Sequence, residues 1–278
     1  MIDDSPLCFG HYRTVQVIGR GTVGTVYEAK HESTGRKVAL KVMYRDLARE
    51  TELRTRFLRE AEAVRRLDHL NIVRVVETGE VADQPFMALE YVEGTDLEQI
   101  IQRRAPLSVE WKLDLLRQIC DGLQHAHEHG IVHRDVKPAN LRVTAEGVVK
   151  LVDFGMARVN TSDLTKRGQM LGSVHYVAPE QIEGDRVDHR ADVFSVGAIA
   201  YELISYKKPF DGDSVGAVLT KIMGGERDPR PLPRTAYSPG LERAVLRALD
   251  READRRQQSL EELRGELLQA VEAAARRG

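Results

Sequence analysis

Eight consecutive residues in the middle of the chain read His133-Arg134-Asp135-Val136-Lys137-Pro138-Ala139-Asn140. Pro138 disfavours a regular helix, so a loop is expected here, with Asp135 and Asn140 five residues apart. Such a loop can direct one carboxylate at a hydroxyl proton and one amide oxygen at a metal ion. Asp153-Phe154-Gly155 follows a predicted strand at 148–152 and adds a second carboxylate suited to a hard divalent cation.

Upstream of this segment, a glycine-rich sequence separates two predicted strands. Gly19-Arg20-Gly21-Thr22-Val23-Gly24 lies between β-branched and apolar runs at 15–18 and 25–29, which favours a hairpin. A dinucleotide-binding loop has the same glycine spacing, but a helix follows its last glycine at once, whereas here a strand follows. Backbone amides at the tip of a hairpin are therefore expected to face an anion, and an ordinary glycine-rich turn is the alternative.

A lysine lies within the next predicted strand, 37–43. Lys41 is flanked by apolar residues there, and an ammonium in such a place is costly unless it meets an anion or a carboxylate. Glu60 enters the apolar periodicity of the following predicted helix, 57–67, and is the expected carboxylate. A solvated lysine on an edge strand is the alternative.

The pattern changes from strands to helices after Gly94. Two more strands are predicted near 73–76 and 86–91, and helices are predicted at 109–129, 191–205, 215–223 and 240–249. Ser108 is the predicted N-cap of the first of these helices, and a last helix begins with the capping box Ser259-Leu260-Glu261-Glu262. The sequence thus predicts the α+β class. Its predicted parts are a small antiparallel β-sheet lobe with one key helix (12–89), a hinge (90–94), a larger mainly helical lobe (95–268) and a C-terminal helical tail (269–278).

Composition restricts the class of protein. The 278 residues include 41 lysines and arginines against 43 aspartates and glutamates, a formal net charge of −2, so neither nucleic acid nor an anionic membrane is an expected partner. Cys8 and Cys120 are too few for a disulfide framework or a cysteine-ligated zinc site. The acidic start leads into no apolar signal region and no apolar run is long enough to span a bilayer, so a cytoplasmic location is expected.

Together these segments resemble the eukaryotic-type (Hanks-type) protein kinase family, in its bacterial serine/threonine branch. The resemblance runs from about Tyr12 to Leu268. It rests on the glycine-rich loop, Val38-Ala39-Leu40-Lys41, the 133–140 and 153–155 segments, Ala178-Pro179-Glu180, Asp192 and Arg256. It implies a two-lobed protein-kinase-like fold and transfer of the γ-phosphoryl group of ATP to serine and threonine hydroxyls of protein substrates. Members of this branch often continue into a membrane helix and a sensor domain, so the cytosolic part of a membrane-anchored receptor kinase is an alternative description of the chain.

The resemblance also implies roles for individual residues. Asp135 would accept the substrate hydroxyl proton, Lys137 would lie near the γ-phosphate, and Lys41, paired with Glu60, would hold the α- and β-phosphates. Asn140 and Asp153 would bind Mg²⁺, or Mn²⁺ in its place. The implied ATP-binding residues are Ile18, Gly19, Arg20, Gly21, Thr22, Val23, Gly24, Val26, Ala39, Lys41, Leu89, Glu90, Val92 and Arg142.

Further residues are implied to support or regulate the site. Glu90 and Val92 would offer backbone groups to adenine, and Leu89 would limit access behind it. Glu180 with Arg256 would form a buried ion pair, and Asp192 would brace the 133–140 loop. Arg134, beside Asp135, implies activation by phosphorylation of the segment before Ala178, with self-association allowing one copy to phosphorylate another. The candidate phosphosites are Thr165, Thr161, Ser162 and Ser173; ordinary solvated hydroxyls are the alternative.

One residue departs from the family's pattern. The family generally has an aliphatic side chain or methionine two residues after Asn140, under the adenine, where this chain has Arg142. Because a buried guanidinium without a partner is costly, either the pocket is altered or only the methylene stem packs there while the head stays in water; the second arrangement is expected. The departure leaves a pseudokinase that scaffolds partners as an alternative. A small-molecule phosphotransferase of related fold is a further alternative, which Ala178-Pro179-Glu180 disfavours.

Overall fold

The computed structural model describes residues 7–104, 106–154, 174–224 and 239–275. By its internal contacts the chain divides into two compact units, Met1–Glu93 and Gly94–Gly278. This division falls inside the range 90–94, and the assignment of that range as a hinge stays a prediction.

The first unit is built on a six-stranded antiparallel sheet with the order β1-β2-β3-β4-β6-β5. Its strands are β1 (Cys8–Phe9), β2 (Tyr12–Arg20), β3 (Gly24–His31), β4 (Lys37–Met43), β5 (Val75–Val81) and β6 (Gln84–Glu90). Two helices, α1 (Arg45–Ala48) and α2 (Thr51–Arg65), lie between β4 and β5 in the chain. Consecutive strands joined by short turns account for the antiparallel pairing of β1 to β4.

The sheet has one face against the core of the first unit. Because successive side chains of a strand point to opposite faces, β4 sends Val38, Leu40 and Val42 to one face and Ala39 and Lys41 to the other. The first three join a buried cluster with residues of β1, β2, β3 and β6. Apart from Lys41, the residues of β4 after Lys37 are apolar, because most positions on both faces of this strand are buried.

The predicted strand at 73–76 is wrong in its bounds, since β5 runs from Val75 to Val81. Its sequence, with Gly79 and two glutamates, is more typical of a turn, and most of its side chains are only half-buried at the edge of the sheet. Gly79 has a packing reason to be there, because a Cβ at this position would lie 2.5 Å from the ring of Phe86. Tertiary packing thus overrides the local turn signal.

The second unit is mainly helical. Among its described residues the helices are α3 (Leu97–Gln102), α4 (Val109–Glu128), α5 (Pro179–Glu183), α6 (Arg190–Ser205), α7 (Val215–Ile222), α8 (Pro239–Ala248) and α9 (Leu260–Ala275). A small antiparallel sheet joins β7 (Thr95–Asp96), β8 (Leu141–Val143) and β9 (Val149–Leu151). The predicted α+β class is confirmed, and the predicted long helices agree with α4, α6, α7 and α8 to within one residue at each end.

The ends of two helices follow their sequence signals. The Ser108 hydroxyl accepts a hydrogen bond from the Trp111 amide at 3.2 Å, and the Ser259 hydroxyl accepts one from the Glu262 amide at 3.0 Å. The second half of the predicted capping box is different, because the Glu262 carboxylate accepts from the Gln258 amide rather than from Ser259. Within the described ranges, no helix has both the length and the apolar character needed to cross a bilayer.

Candidate active site

The glycine-rich segment forms the turn between β2 and β3. The Gly21 amide donates to the Gly24 carbonyl at 2.9 Å, which closes the hairpin. Arg20, Gly21 and Thr22 are exposed at its tip, and Val23 is half-buried. A register shift between Val17 and Gly19 leaves Ile18 45% exposed just before the turn. A β-bulge of this kind changes the direction of the side chain at the extra residue, which here is Ile18.

The glycines of this hairpin differ in their packing. A Cβ at Gly24 would lie 2.1 Å from the Val42 carbonyl oxygen, so β3 and β4 could not keep their spacing. A Cβ at Gly19 or Gly21 would meet its nearest neighbour at 3.8 Å or 3.7 Å, which is ordinary van der Waals contact. Gly24 is therefore required by the sheet itself, whereas a role of Gly19 or Gly21 has to come from a ligand.

We expect Gly24→Ala to lower the free energy of unfolding by about 2 to 3 kcal/mol, because forcing a methyl group into a packed position strains the backbone. Gly21→Ala is the matched control and should leave the thermal midpoint unchanged, since its added methyl group has room. Thermal unfolding of the two variants beside the wild type makes the comparison. Equal midpoints for all three would contradict the steric reason given for Gly24.

Four of the predicted ATP-binding residues share one face of the first unit's sheet. Val26 on β3 pairs with Lys41 on β4, and Ala39 on β4 pairs with Leu89 on β6. Directly opposed residues of antiparallel strands lie on the same face, and Ala39 and Lys41 are two residues apart, so all four lie on the face opposite the buried cluster. The fold thus brings together residues that are up to 63 positions apart in the chain.

Lys41 is 8% exposed on this face, and Glu60 is half-buried on α2 in the same unit. Their predicted ion pair stays a prediction. The Glu90 amide donates to the Arg74 carbonyl at 2.8 Å, so a contact from the Glu90 backbone to adenine would have to come from its carbonyl. Val92, two residues on, is half-buried.

In the second unit, the 133–140 loop brings three polar side chains together. Lys137 Nζ donates to both carboxylate oxygens of Asp135, at 3.0 Å and 2.8 Å. Asn140 lies in a short 3₁₀ turn, Pro138–Asn140, and its Nδ2 donates to the Asp135 carbonyl at 2.8 Å and to Oδ2 at 3.1 Å. Because Nδ2 carries both bonds, the amide oxygen is the atom of Asn140 that can ligate a metal.

Asp192 holds this loop from α6. Its fully buried carboxylate accepts hydrogen bonds from the amides of His133 and Arg134, both at 2.8 Å, and contacts His127 Nε2 at 2.7 Å. Burial alone would raise the pKa of Asp192, but the hydrogen bond and charge of His127, with the Arg134 amide, hold this pKa below its ordinary value. The anion stabilises the left-handed backbone of Arg134, where φ is +65°.

His133, in the same loop, is completely buried. Burial lowers the pKa of His133, although the charges of Asp192 and Asp135 oppose this effect. The imidazole is therefore neutral at neutral pH, and its Nδ1 accepts a hydrogen bond from the Asp135 amide at 3.3 Å. Its ring centre lies 4.6 Å from that of Phe154, which connects the loop to the segment after β9.

Asp153 follows β9 in an unusual backbone conformation. Its φ is +58°, a left-handed value that aspartate and asparagine adopt more easily than most residues. The Val152 amide donates to the Asn140 carbonyl at 2.9 Å, so the backbone beside Asp153 is bonded to the backbone of the other predicted metal ligand. Gly155 lies outside the described residues.

Arg142 lies half-buried on β8, and its Nη2 donates to the Gly94 carbonyl. Its Nε is buried with no hydrogen-bond acceptor among the described residues. The expectation that the charged head stays in water is therefore wrong in part. The guanidinium turns back onto the protein because a carbonyl of the same unit lies within its reach.

Glu180 and Arg256 form the ion pair that the resemblance implied. Arg256 is 0% exposed and donates from Nη1 and Nη2 to the two carboxylate oxygens of Glu180, both at 2.8 Å. The other three guanidinium N–H groups donate to the carbonyls of Asp250, Arg190 and Arg251. All five donors of the guanidinium are thus used, which is the condition under which a buried charge is tolerated.

We expect Arg256→Met to lower the free energy of unfolding by about 3 to 5 kcal/mol, because Glu180 and three carbonyls would lose a buried partner. Arg251→Met is the matched control: Arg251 pairs with Glu183 at 3.0 Å on the surface, and its loss should cost at most about 1 kcal/mol. Urea unfolding of both variants measures the difference. Similar losses for the two arginines would show that burial of Arg256 does not matter.

Gln181 is a residue that the sequence did not point to. Its Nε2 donates to the Arg134 carbonyl at 2.9 Å, and its Oε1 accepts from the Ala178 amide at 3.1 Å. The side chain thereby connects the Ala178-Pro179-Glu180 segment to the 133–140 loop. A glutamine in the first turn of a helix is typical of a cap, so the pattern alone could not indicate this contact.

The candidate phosphosites Thr161, Ser162, Thr165 and Ser173 lie outside the described residues. Arg134, the residue expected to pair with a phosphate, is described. Its Nη2 is 3.5 Å from the Val187 carbonyl. Phosphorylation of the segment stays a prediction.

Comparison with known proteins finds protein kinases by each method. A family model described as "Protein kinase domain" matches residues 12–256. A probable serine/threonine-protein kinase of Streptomyces coelicolor is 37% identical over 262 residues, which are 92% of this chain and 39% of that protein. Serine/threonine-protein kinase PknB of Mycolicibacterium smegmatis is 35% identical over 95% of this chain and 43% of its own length. The chain thus spans about two fifths of the length of these curated relatives.

Solved structures agree with the sequence comparison. The kinase domain of PknI from Mycobacterium tuberculosis matches with a TM-score of 0.76 and 30% identity, over 96% of this chain and 98% of that one. A point mutant of the same domain matches with a TM-score of 0.72 and 29% identity, over 98% of this chain and 100% of its own. The likeness therefore covers both compact units.

Proposed function

This chain belongs to the protein kinase domain family, and from that premise we propose that it transfers the γ-phosphoryl group of ATP to serine and threonine hydroxyls of proteins. The observation that carries the proposal is the Asp135 carboxylate, held beside Lys137 Nζ and Asn140 Nδ2 in a loop anchored by Asp192. A carboxylate so fixed can orient a hydroxyl and accept its proton. The serine/threonine class is supported by the names of the curated relatives.

In this reaction the substrate oxygen bonds to the γ-phosphorus as the bond to the β,γ-bridging oxygen breaks and ADP leaves. Asp135 accepts the hydroxyl proton. The Lys137 ammonium, 2.8 Å from Asp135, is the cation of this unit that stabilises charge on the transferring group. In the first unit, the glycine hairpin and Lys41 bind the triphosphate, with Glu60 as the partner of Lys41.

Protein kinases use ATP together with divalent metal ions. Asn140 and Asp153 fit this requirement, because they offer an amide oxygen and a carboxylate, and the Val152–Asn140 backbone bond joins their segments. Mg²⁺ is the proposed ion, and Mn²⁺ is the second choice. When bound, the ion neutralises charge that develops on the phosphoryl oxygens.

Regulation and location belong to the same proposal. Thr165 is the first candidate for activation by phosphorylation between two copies of the chain, with Arg134 as the residue that pairs with the phosphate. The domain acts in the cytoplasm, where ATP is abundant. Mass mapping after incubation with Mg-ATP tests the phosphosites, and an active protein without phosphate in 155–173 would contradict this mode of activation.

The test of the main proposal is incubation of the purified chain with radiolabelled ATP, Mg²⁺ and a generic basic protein substrate. We expect label on serine and threonine of the substrate. Phosphoamino-acid analysis separates these from tyrosine, and label on a small molecule instead would favour a different phosphotransferase. Tight Mg-ATP binding without any transfer would favour a scaffolding pseudokinase.

A further inference from the structure

Arg142 makes a contact that the proposed chemistry does not use. It lies on β8, two residues after the proposed metal ligand Asn140, and donates from Nη2 to the Gly94 carbonyl. Gly94 is the first residue of the second unit, so this bond fixes the point at which the chain enters that unit. The residues just before it, Glu90 and Val92, are those proposed to hold adenine by their backbone.

The contact depends on a close approach of two backbones. A Cβ at Gly94 would lie 2.3 Å from the Val143 carbonyl oxygen, so the chain at Gly94 lies directly against β8. β8 itself begins where the Pro138–Asn140 turn ends. Arg142 therefore connects Gly94, which ends the segment proposed to bind adenine, to the loop that carries Asn140, through one hydrogen bond and one strand.

The burial of the Arg142 guanidinium carries a cost in stability. Arg142 Nε is buried with no acceptor in the described parts of the chain, and a buried donor without a partner lowers stability. Gly94 is exposed, so its carbonyl could bond to water if the guanidinium were removed. An apolar side chain at 142 would therefore suit the fold at least as well. A side chain that does not improve stability is better explained by a role in binding.

We propose that Arg142 is a positioning residue for the nucleotide. Its hydrogen bond to Gly94 fixes the end of the 90–94 segment against β8, the strand that follows the proposed metal ligand Asn140. In this way Arg142 sets the affinity for ATP. This inference rests on the proposed function. Removing the guanidinium lets the Gly94 peptide move. ATP then has to order the 90–94 segment when it binds, and the entropy lost in this ordering lowers the affinity. Binding weakens, whereas the transfer step at Asp135 proceeds as before.

The test is Arg142→Met, which keeps a side chain of similar length and removes every donor. We expect the KM for ATP to rise about fivefold to tenfold, the size expected for loss of one typical hydrogen bond, with kcat within about twofold of wild type. The thermal midpoint without nucleotide should stay equal or rise. Arg142→Lys, which keeps a cation and a donor, should recover part of the ATP affinity.

Arg103→Met is the control, because it removes an exposed guanidinium of the same unit and should change none of these quantities. An unchanged or lower KM for Arg142→Met would overturn the inference, and a lower KM would indicate that the arginine obstructs the nucleotide. A fall in kcat together with a lower thermal midpoint would also overturn it, in favour of a purely structural role. A wild-type chain that neither binds nor turns over ATP would instead overturn the proposed function.

Discussion

Asp153→Asn is expected to reduce phosphoryl transfer by at least about 10³-fold and to leave the fold intact. The substitution removes the negative charge of a proposed metal ligand, and with it the charge stabilisation that the bound ion gives to the transferring group. Asparagine is the right replacement because φ of Asp153 is +58°, a conformation that asparagine also adopts, whereas alanine would add backbone strain. The loss is therefore chemical rather than structural.

Asp83→Asn is the matched control for this variant. Asp83 has φ +61° and lies exposed in the turn between β5 and β6, so the same chemical change occurs in the same backbone conformation away from the site. Transfer of label to a generic substrate and the thermal midpoint are measured for both variants. A wild-type rate for Asp153→Asn would show that Asp153 is not the metal ligand.

The parts of the fold that were predictable are those in which local signals agree with tertiary packing. A serine cap and an apolar stripe predict α4, and β-branched runs around the glycines predict β2 and β3. The 133–140 loop was predictable from Pro138 and from the spacing of Asp135 and Asn140. In each case the sequence and the packing favour the same structure.

The remaining features depend on contacts between distant residues. The end of β5 depends on the ring of Phe86 beside Gly79, and the need for glycine at Gly24 depends on the Val42 carbonyl. The direction of the Arg142 head depends on a carbonyl 48 residues upstream. A motif can indicate which residue type is present, but a steric or hydrogen-bonding partner of this kind is known only from the fold.

Asp135→Asn is expected to lower kcat by about 10²- to 10⁴-fold while the affinity for ATP changes little, because proton transfer to a positioned base contributes about that much to a rate. An amide has the shape of the carboxylate and can still accept from Lys137, so the loop anchored by Asp192 should keep its structure. The amide introduced by the substitution is a far weaker base than a carboxylate, so it cannot accept the hydroxyl proton in the transition state.

Measuring kcat and ATP affinity separately shows whether Asp135→Asn impairs the transfer step or the binding of ATP. Titration with Mg-ATP measures affinity, and steady-state transfer to a generic protein substrate measures kcat. Asp185→Asn, at an exposed position of the same unit, is the control for loss of one negative charge and should match wild type in both. A large loss of ATP affinity in Asp135→Asn would indicate that the loop has rearranged, and the base role would then have no support from the variant. Retained affinity with a low kcat would place the function of Asp135 in the transfer step, because an interaction made only in the transition state changes kcat alone.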